Sequence, residues 1–260
     1  MNVKGGFTAF LIIFSLAYLS AQPAYISKAI AGNDHQRKKP LTEALENGFA
    51  GITADLNLKK NGNLYSGSDL FKDIYLEKAK KLVQERKGNL YQGRTEEFIM
   101  VLELLSDEKE TLEALEKELS SFVEILSSKS SGGIEKKAIR LVVSGKNGSA
   151  LGYISPSPYI FTEVPFNKTT PGDASAFIGT TSMRFKKVYD WNGSGSMPNM
   201  QYHSFSSMIK VAQKSGRKVR LFDIPEIPNA FDLFINAGAD YIQVDDIDKF
   251  VTYWRNRKPY

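Results

Sequence analysis

The sharpest chemical signal in this chain is a carboxylate inside an apolar strand. Glu103 sits within "FIMVLELL", residues 98–105. Burying a lone carboxylate is costly unless a cation, a metal or a set of donors answers it. A second carboxylate, Asp55, lies in "GITADLNL", where Ile52, Ala54, Leu56 and Leu58 alternate with Thr53, Asp55 and Asn57. That period of two marks a strand with two different faces. Asp55 and Glu103 on neighbouring strands, completed by water, suit a hard cation such as Mg²⁺ or Ca²⁺. Pairing of Glu103 with an Arg or Lys is the alternative. Asn33, Asp34 and His35 follow another short apolar run, and Asp34 reads equally well as a capping acid before a helix. The basic stretch "HQRKKP", residues 35–40, brings Arg37 and Lys38 to the same loop. It is either a solvated loop or a contact for a phosphate. Asn61-Gly62 is a tight-turn signal, and Asp69 closes the hairpin that it starts. Trp191, Asn192, Asp223, Glu226, Asp245 and Asp246 follow later apolar runs. His203 lies in a helical stretch and reads as a surface or packing residue.

These residues need a scaffold that gathers strand ends. Strands are expected over residues 25–30, 49–58, 98–105, 138–143, 159–164, 184–189, 219–223 and 241–244. Helices are expected over residues 41–47, 70–86, 107–126, 199–215, 229–237 and 247–257, and residues 127–133, "SSKSSGG", form a loop. About eight strands alternating with helices argue for a parallel sheet with helical crossovers. Count and length favour a (β/α)8 TIM barrel, with a doubly wound open sheet as the competing topology. In such a barrel the carboxyl ends of the strands carry the site.

The 260 residues, 42% hydrophobic and 24% charged, suit a globular domain. There is no cysteine, so thiolate metal sites and disulfides are excluded, and two histidines leave little for a multi-histidine metal site. The net charge of +5 is spread along the chain without a basic stripe, which argues against nucleic acid as a partner. Residues 1–21 have one lysine, an apolar run and small residues at Ser20-Ala21, the pattern of a signal peptide cleaved after Ala21. The run is short for a membrane span. The expectation is an exported protein whose residues 22–260 form one domain with no transmembrane helix. The competing expectation is an uncleaved anchor.

Several stretches together resemble the PLC-like phosphodiesterase superfamily, which includes the glycerophosphodiester phosphodiesterases and the phosphatidylinositol-specific phospholipases C. They are "IAGNDHQRKKPLTEALENGF", Thr53-Ala54-Asp55, Gly67-Ser68-Asp69, "FIMVLELLSDEKETLEAL", "AIRLVVSGKN", "YDWNGSGSMP" and "SGRKVRLFDIPEIPNAFDLFINAGADYIQVDDIDKF". Within it, the resemblance is to the branch of the altered inheritance of mitochondria protein 6. It covers the chain from about residue 25 to the end.

The resemblance implies a TIM barrel that hydrolyses phosphoric diesters. Histidines serve as general base and acid, and carboxylates hold a divalent ion. Matched position by position, the branch's two first-motif histidines fall on Ile30 and Gly32, its glutamate on Thr53 and its third histidine on Ser68. Asn33, Asp34, Asp55, Asp69 and an acid at Glu103 remain. Isoleucine, glycine and serine cannot replace an imidazole near neutral pH. Three readings follow. The first is a catalytically impaired relative, a pseudoenzyme whose mouth binds a phosphorylated small molecule or lipid headgroup through Asn33, Asp34, Arg37, Lys38 and Trp191. The second is an active hydrolase with His35 and Asp69 in catalysis and a rearranged metal site at Asp55 and Glu103. The third is a structural or partner-binding barrel.

Overall fold

A computed structural model describes residues 24–130, 132–166 and 178–257. The expected signal sequence, residues 1–21, lies outside the described residues. Eight strands form the frame: β1 Ile26–Ala31, β2 Phe49–Leu58, β3 Phe98–Leu104, β4 Ile139–Gly145, β5 Ile160–Pro165, β6 Ile178–Arg184, β7 Val219–Phe222 and β8 Tyr241–Val244. Each pairs in parallel with its neighbours, and β1 pairs with both β2 and β8, so the sheet closes on itself. This is the (β/α)8 barrel expected from the alternation, and closure rules out the open sheet.

Helices wrap the outside: α1 Thr42–Glu46, α2 Glu77–Glu85, α3 Glu108–Leu119, α4 Phe185–Val188, α5 Asn199–Lys214, α6 Pro228–Asn236 and α7 Ile247–Asn256. Their starts follow from capping chemistry. Asp107 accepts the Glu110 N–H at 3.0 Å and Asp246 accepts the Lys249 N–H at 2.9 Å. Pro228 opens α6, where its missing N–H costs nothing. Phe185, Phe205, Phe231, Phe234 and Phe250 are fully buried between helices and barrel. They meet edge to face, Phe185–Phe234 and Phe231–Phe250 both at 4.8 Å between ring centres.

Three segments depart from expectation. The strand expected over residues 184–189 is the helix α4, and its strand β6 lies just before it. Phe185 and Tyr189 bury one helical turn apart, 5.2 Å between rings, with the Tyr189 N–H on the Phe185 carbonyl. The strand itself is "IGTTSMR", whose Thr180 and Ser182 face a polar barrel interior and so carry little hydrophobic signal. The helix expected over residues 107–126 stops at Leu119, where the Ser120 hydroxyl takes the Lys117 carbonyl. The serine-rich loop over residues 127–133 instead contains strand Ser128–Ser130, paired with Gly133–Glu135. Lys129 anchors it by donating to the Ile160 carbonyl at 2.5 Å.

The barrel interior has two layers. Ile30, Ile99, Val101, Val142 and Phe161 form a small apolar cluster inside it. Two residues further along the same strands, the same inward face carries Glu103, Ser144 and Glu163. Arg220 reaches into this layer with 4% exposure and binds the fully buried Glu163 through two hydrogen bonds of 2.8 and 2.5 Å. Its third nitrogen donates to the Gln243 side chain. Thr180 also donates to Glu163, at 2.7 Å. Burial alone would raise the Glu163 carboxyl, but the Arg220 guanidinium and its hydrogen bonds hold it below the ordinary value. Removing one partner of a buried pair leaves an uncompensated charge. Arg220→Met is expected to cost ~3–5 kcal/mol in urea unfolding, and adding Glu163→Leu to recover part of it.

Candidate functional site

The carboxyl ends of the strands close over a small polar pit. It is lined by Asn33, Thr53, Asp55, Val101, Glu103, Ser144, Arg220, Phe222 and Gln243, and its volume is about 30 Å³. Liquid water takes roughly 30 Å³ per molecule, so the pit has room for about one water and none for a phosphodiester.

The roof follows from local backbone geometry. Beyond β4 the chain turns through Lys146–Gly148, with Asn147 and Gly148 both left-handed at φ 55° and 69°. This turn folds inward. The Asn147 N–H donates to the Glu103 carboxylate, and a Cβ on Gly148 would lie 2.6 Å from the Phe222 ring. Phe222 in turn lies under the Arg220 guanidinium, 4.7 Å from it.

Asp55 and Glu103 are register partners on β2 and β3, as their sequence contexts suggested. They are not free together. His35 Nε2 lies 3.5 Å from Asp55 Oδ2, and the Asp55 N–H donates to His35 Nδ1 at 3.3 Å. The imidazole therefore has its proton on Nε2 and its lone pair engaged. Its side chain is only 5% exposed, against 33% for Asp55. Gly67 passes over the ring; a Cβ there would sit 3.4 Å from His35 Cδ2. Burial pushes the Glu103 carboxyl up, against the Asn147 hydrogen bond, and the nearby Asp55 adds to the rise. Among the described residues Glu103 thus makes no salt bridge and uses a backbone N–H instead. Among the described residues no three carboxylate or imidazole groups converge as a metal set. One predicted ligand is committed to His35 and the other to Asn147, so the donor set in this arrangement does not fit a divalent ion.

The first strand–helix loop is built around buried Asp34. Asn33 is left-handed at φ 49°; its N–H reaches Thr53 Oγ1 at 3.3 Å and its side-chain amide donates to Asp245 Oδ1 at 3.1 Å. Asp34 Oδ2 accepts the Leu41 N–H at 2.7 Å, which holds Leu41 at an unusual φ of 66°. Asp34 is thus inside the loop and does not line the pit. Arg37 donates to the carbonyls of Gly32 and Asp245, at 3.0 and 2.9 Å, and ties the first loop to the last. There Glu226 accepts the N–H groups of Asp245 and Asp246, at 2.7 and 3.1 Å. Gly32 faces this last loop directly: a Cβ on it would lie 2.2 Å from Asp245 Oδ1.

The remaining predicted residues sit apart. Lys38 and Asp69 are exposed, Asp69 at the hairpin tip where the Ser68 hydroxyl reaches it at 3.3 Å. Trp191 is packed on Phe185 and Phe234, its Nε1 donating to the Ser194 carbonyl at 3.0 Å, so it is core and not mouth. His203 is exposed on α5. Sequence reasoning missed Arg220, Glu163 and Gln243. The signal was present: a charge inside "VRLF" and another inside "IFTEVP" stand out by the same rule that singles out Glu103.

Burial pushes the Asp34 carboxyl up to about 6 against the pull of the Leu41 N–H. A raised acid stabilises the fold when protonated, and that contribution is lost as pH rises from the unfolded value through the folded one. Between about pH 5 and pH 7 the protein is expected to lose about 1 kcal/mol through Asp34. Urea unfolding at both pH values should show a smaller loss in Asp34→Asn, and equal losses would refute this role.

Comparisons with known proteins agree with this architecture. The chain is 23% identical to altered inheritance of mitochondria protein 6 of Eremothecium gossypii, over 90% of this chain and 71% of that protein. A glycerophosphodiester phosphodiesterase from Parabacteroides distasonis superposes with a TM-score of 0.53 at 13% identity, covering 90% of this chain and all of that one. One from Agrobacterium tumefaciens gives 0.50 at 12%, covering 89% and 100%. No protein-family profile matches the chain. The closed parallel barrel and these likenesses show that the chain has a (β/α)8 barrel fold similar to that of these glycerophosphodiester phosphodiesterases.

Proposed function

We propose that this chain is an exported phosphodiesterase-like barrel that has lost efficient hydrolysis and binds a phosphorylated small molecule or lipid headgroup at its mouth. The observation that carries this reading is the water-sized pit, roofed by Asn147 and Phe222, in which both predicted metal ligands already have partners. The groups that matched the superfamily's proton-transfer positions are Ile30, buried in the inner apolar cluster, and Gly32, which lies against the Asp245 carboxylate. Loss of a general acid or base costs about 10²–10⁴ in rate. Lys38, with Lys39 beside it, is an exposed cation of the first loop that a phosphate would meet.

A second reading has one specific observation in its favour, the contact between His35 and Asp55. An imidazole beside a carboxylate is the arrangement of a general base. In that reading the hairpin over His35 must lift before the ring can take a proton.

Purified protein assayed with a chromogenic phosphodiester and with glycerophosphodiesters, with and without Mg²⁺ or Ca²⁺, separates the two. The expected outcome is no turnover above the rate of buffer. Turnover that His35→Ala abolishes would establish the active hydrolase instead. Millimolar Mg²⁺ or Ca²⁺ is expected to leave the melting temperature unmoved in both wild type and Glu103→Gln; a rise in the wild type that Glu103→Gln removes would restore the metal site. Export is tested by the intact mass of the mature protein, expected to begin at Gln22.

A further inference from the structure

The amino ends of the strands, opposite the pit, carry a second concavity of about 930 Å³. That is within the range of pockets that hold small organic ligands. Its charged lining is five cations, Lys28, Arg94, Lys136, Arg140 and Lys218, against three acids, Glu96, Glu97 and Asp240.

Every acid is committed. Glu97 takes Arg140 through two hydrogen bonds of 3.1 and 2.6 Å. Asp240 takes Lys218 at 2.9 Å and the Val219 N–H at 3.0 Å, and Glu96 takes Arg94 at 3.1 Å. Lys28 and Lys136 are left without an ion pair among the described residues. Lys28 donates to the Ala239 carbonyl at 2.9 Å, which uses one of its three protons. Lys136 is exposed.

Neutral donors line the same cavity: Ser27, Tyr25 and Tyr241 stand in its wall. Burial raises both phenols to about 12, so they remain donors at neutral pH. Burial also lowers the Lys28 ammonium; Asp240 opposes this, and Lys218 and Arg257 add to it. An anion placed there would stabilise that charge. A concavity of about 700 Å³ beside the mouth, between the loops that follow β1, β7 and β8, is the reverse: it sets Glu43, Glu226, Asp245, Asp246 and Asp248 against Arg37 alone.

We propose that this base of the barrel is an anion-binding site that takes a phosphate monoester, its dianion held by Lys28 and Lys136 and by the Tyr25 and Tyr241 hydroxyls. The site is independent of any event at the pit, so it stands whether or not the mouth binds a ligand.

The test titrates the purified protein at low salt with inorganic phosphate and with phenyl phosphate, followed by calorimetry. Saturable binding of both is expected, the ester more tightly. Lys136→Glu should weaken it at least tenfold with an unchanged melting temperature, because that side chain is exposed. Tyr241→Phe should weaken it severalfold, and Lys38→Glu at the mouth should leave this event in place. No saturable binding of either probe in the millimolar range overturns the proposal. So does binding that Lys136→Glu leaves intact, or binding that Lys38→Glu abolishes. Binding of inorganic phosphate without the ester overturns the ligand class.

Discussion

One buried ion pair organises the upper half of this barrel. Glu163 on β5 and Arg220 on β7 face each other across β6, both buried. Neither charge is tolerable there without the other. The guanidinium is fixed by Glu163 and Gln243, and its face fixes the Phe222 ring. Phe222 fills the space over Gly148, and the turn held there delivers the Asn147 N–H to Glu103. The roof of the pit is thus mechanically continuous with a salt bridge two strands away. The state of Glu103 is set by this chain of contacts as much as by its own position.

The pair also explains which parts of the fold were legible in the sequence. Strands with apolar inward faces, such as β3 and β4, announced themselves by composition. So did the hairpin at Asn61-Gly62. Strand β6 did not, because its partners inside the barrel are polar and its residues follow them; Thr180 serves Glu163. The helix α4 was mistaken for a strand because a run of five residues with two lysines between aromatics fits either period. Of the candidate site, the pairing of Asp55 with Glu103 was visible, since both stood out against apolar strands. What each carboxylate does was not. Their partners come from residues that carry no local signal: a backbone N–H at Asn147, and a histidine twenty positions before Asp55 in the sequence.

Fold and chemistry are separable here in a concrete way. The barrel is specified by the apolar layer inside it and the aromatic layer outside it, which meet the pit through Val101 and Ala54. The two ends of the barrel are therefore free to diverge in charge. Acids gather where strands β7, β8 and β1 end, and cations gather where the strands begin.

The contact at Gly32 couples two loops to one backbone position. Any side chain at that position displaces the Asp245 carboxylate, which holds the Asn33 amide, and disturbs Gln243, which holds Arg220. Both side chains are flexible at their ends, so a larger residue at Gly32 is accommodated by turning them aside. What it costs is the tie between the first and last loops rather than the barrel: the Asn33 amide and the Arg220 guanidinium each lose a partner at once.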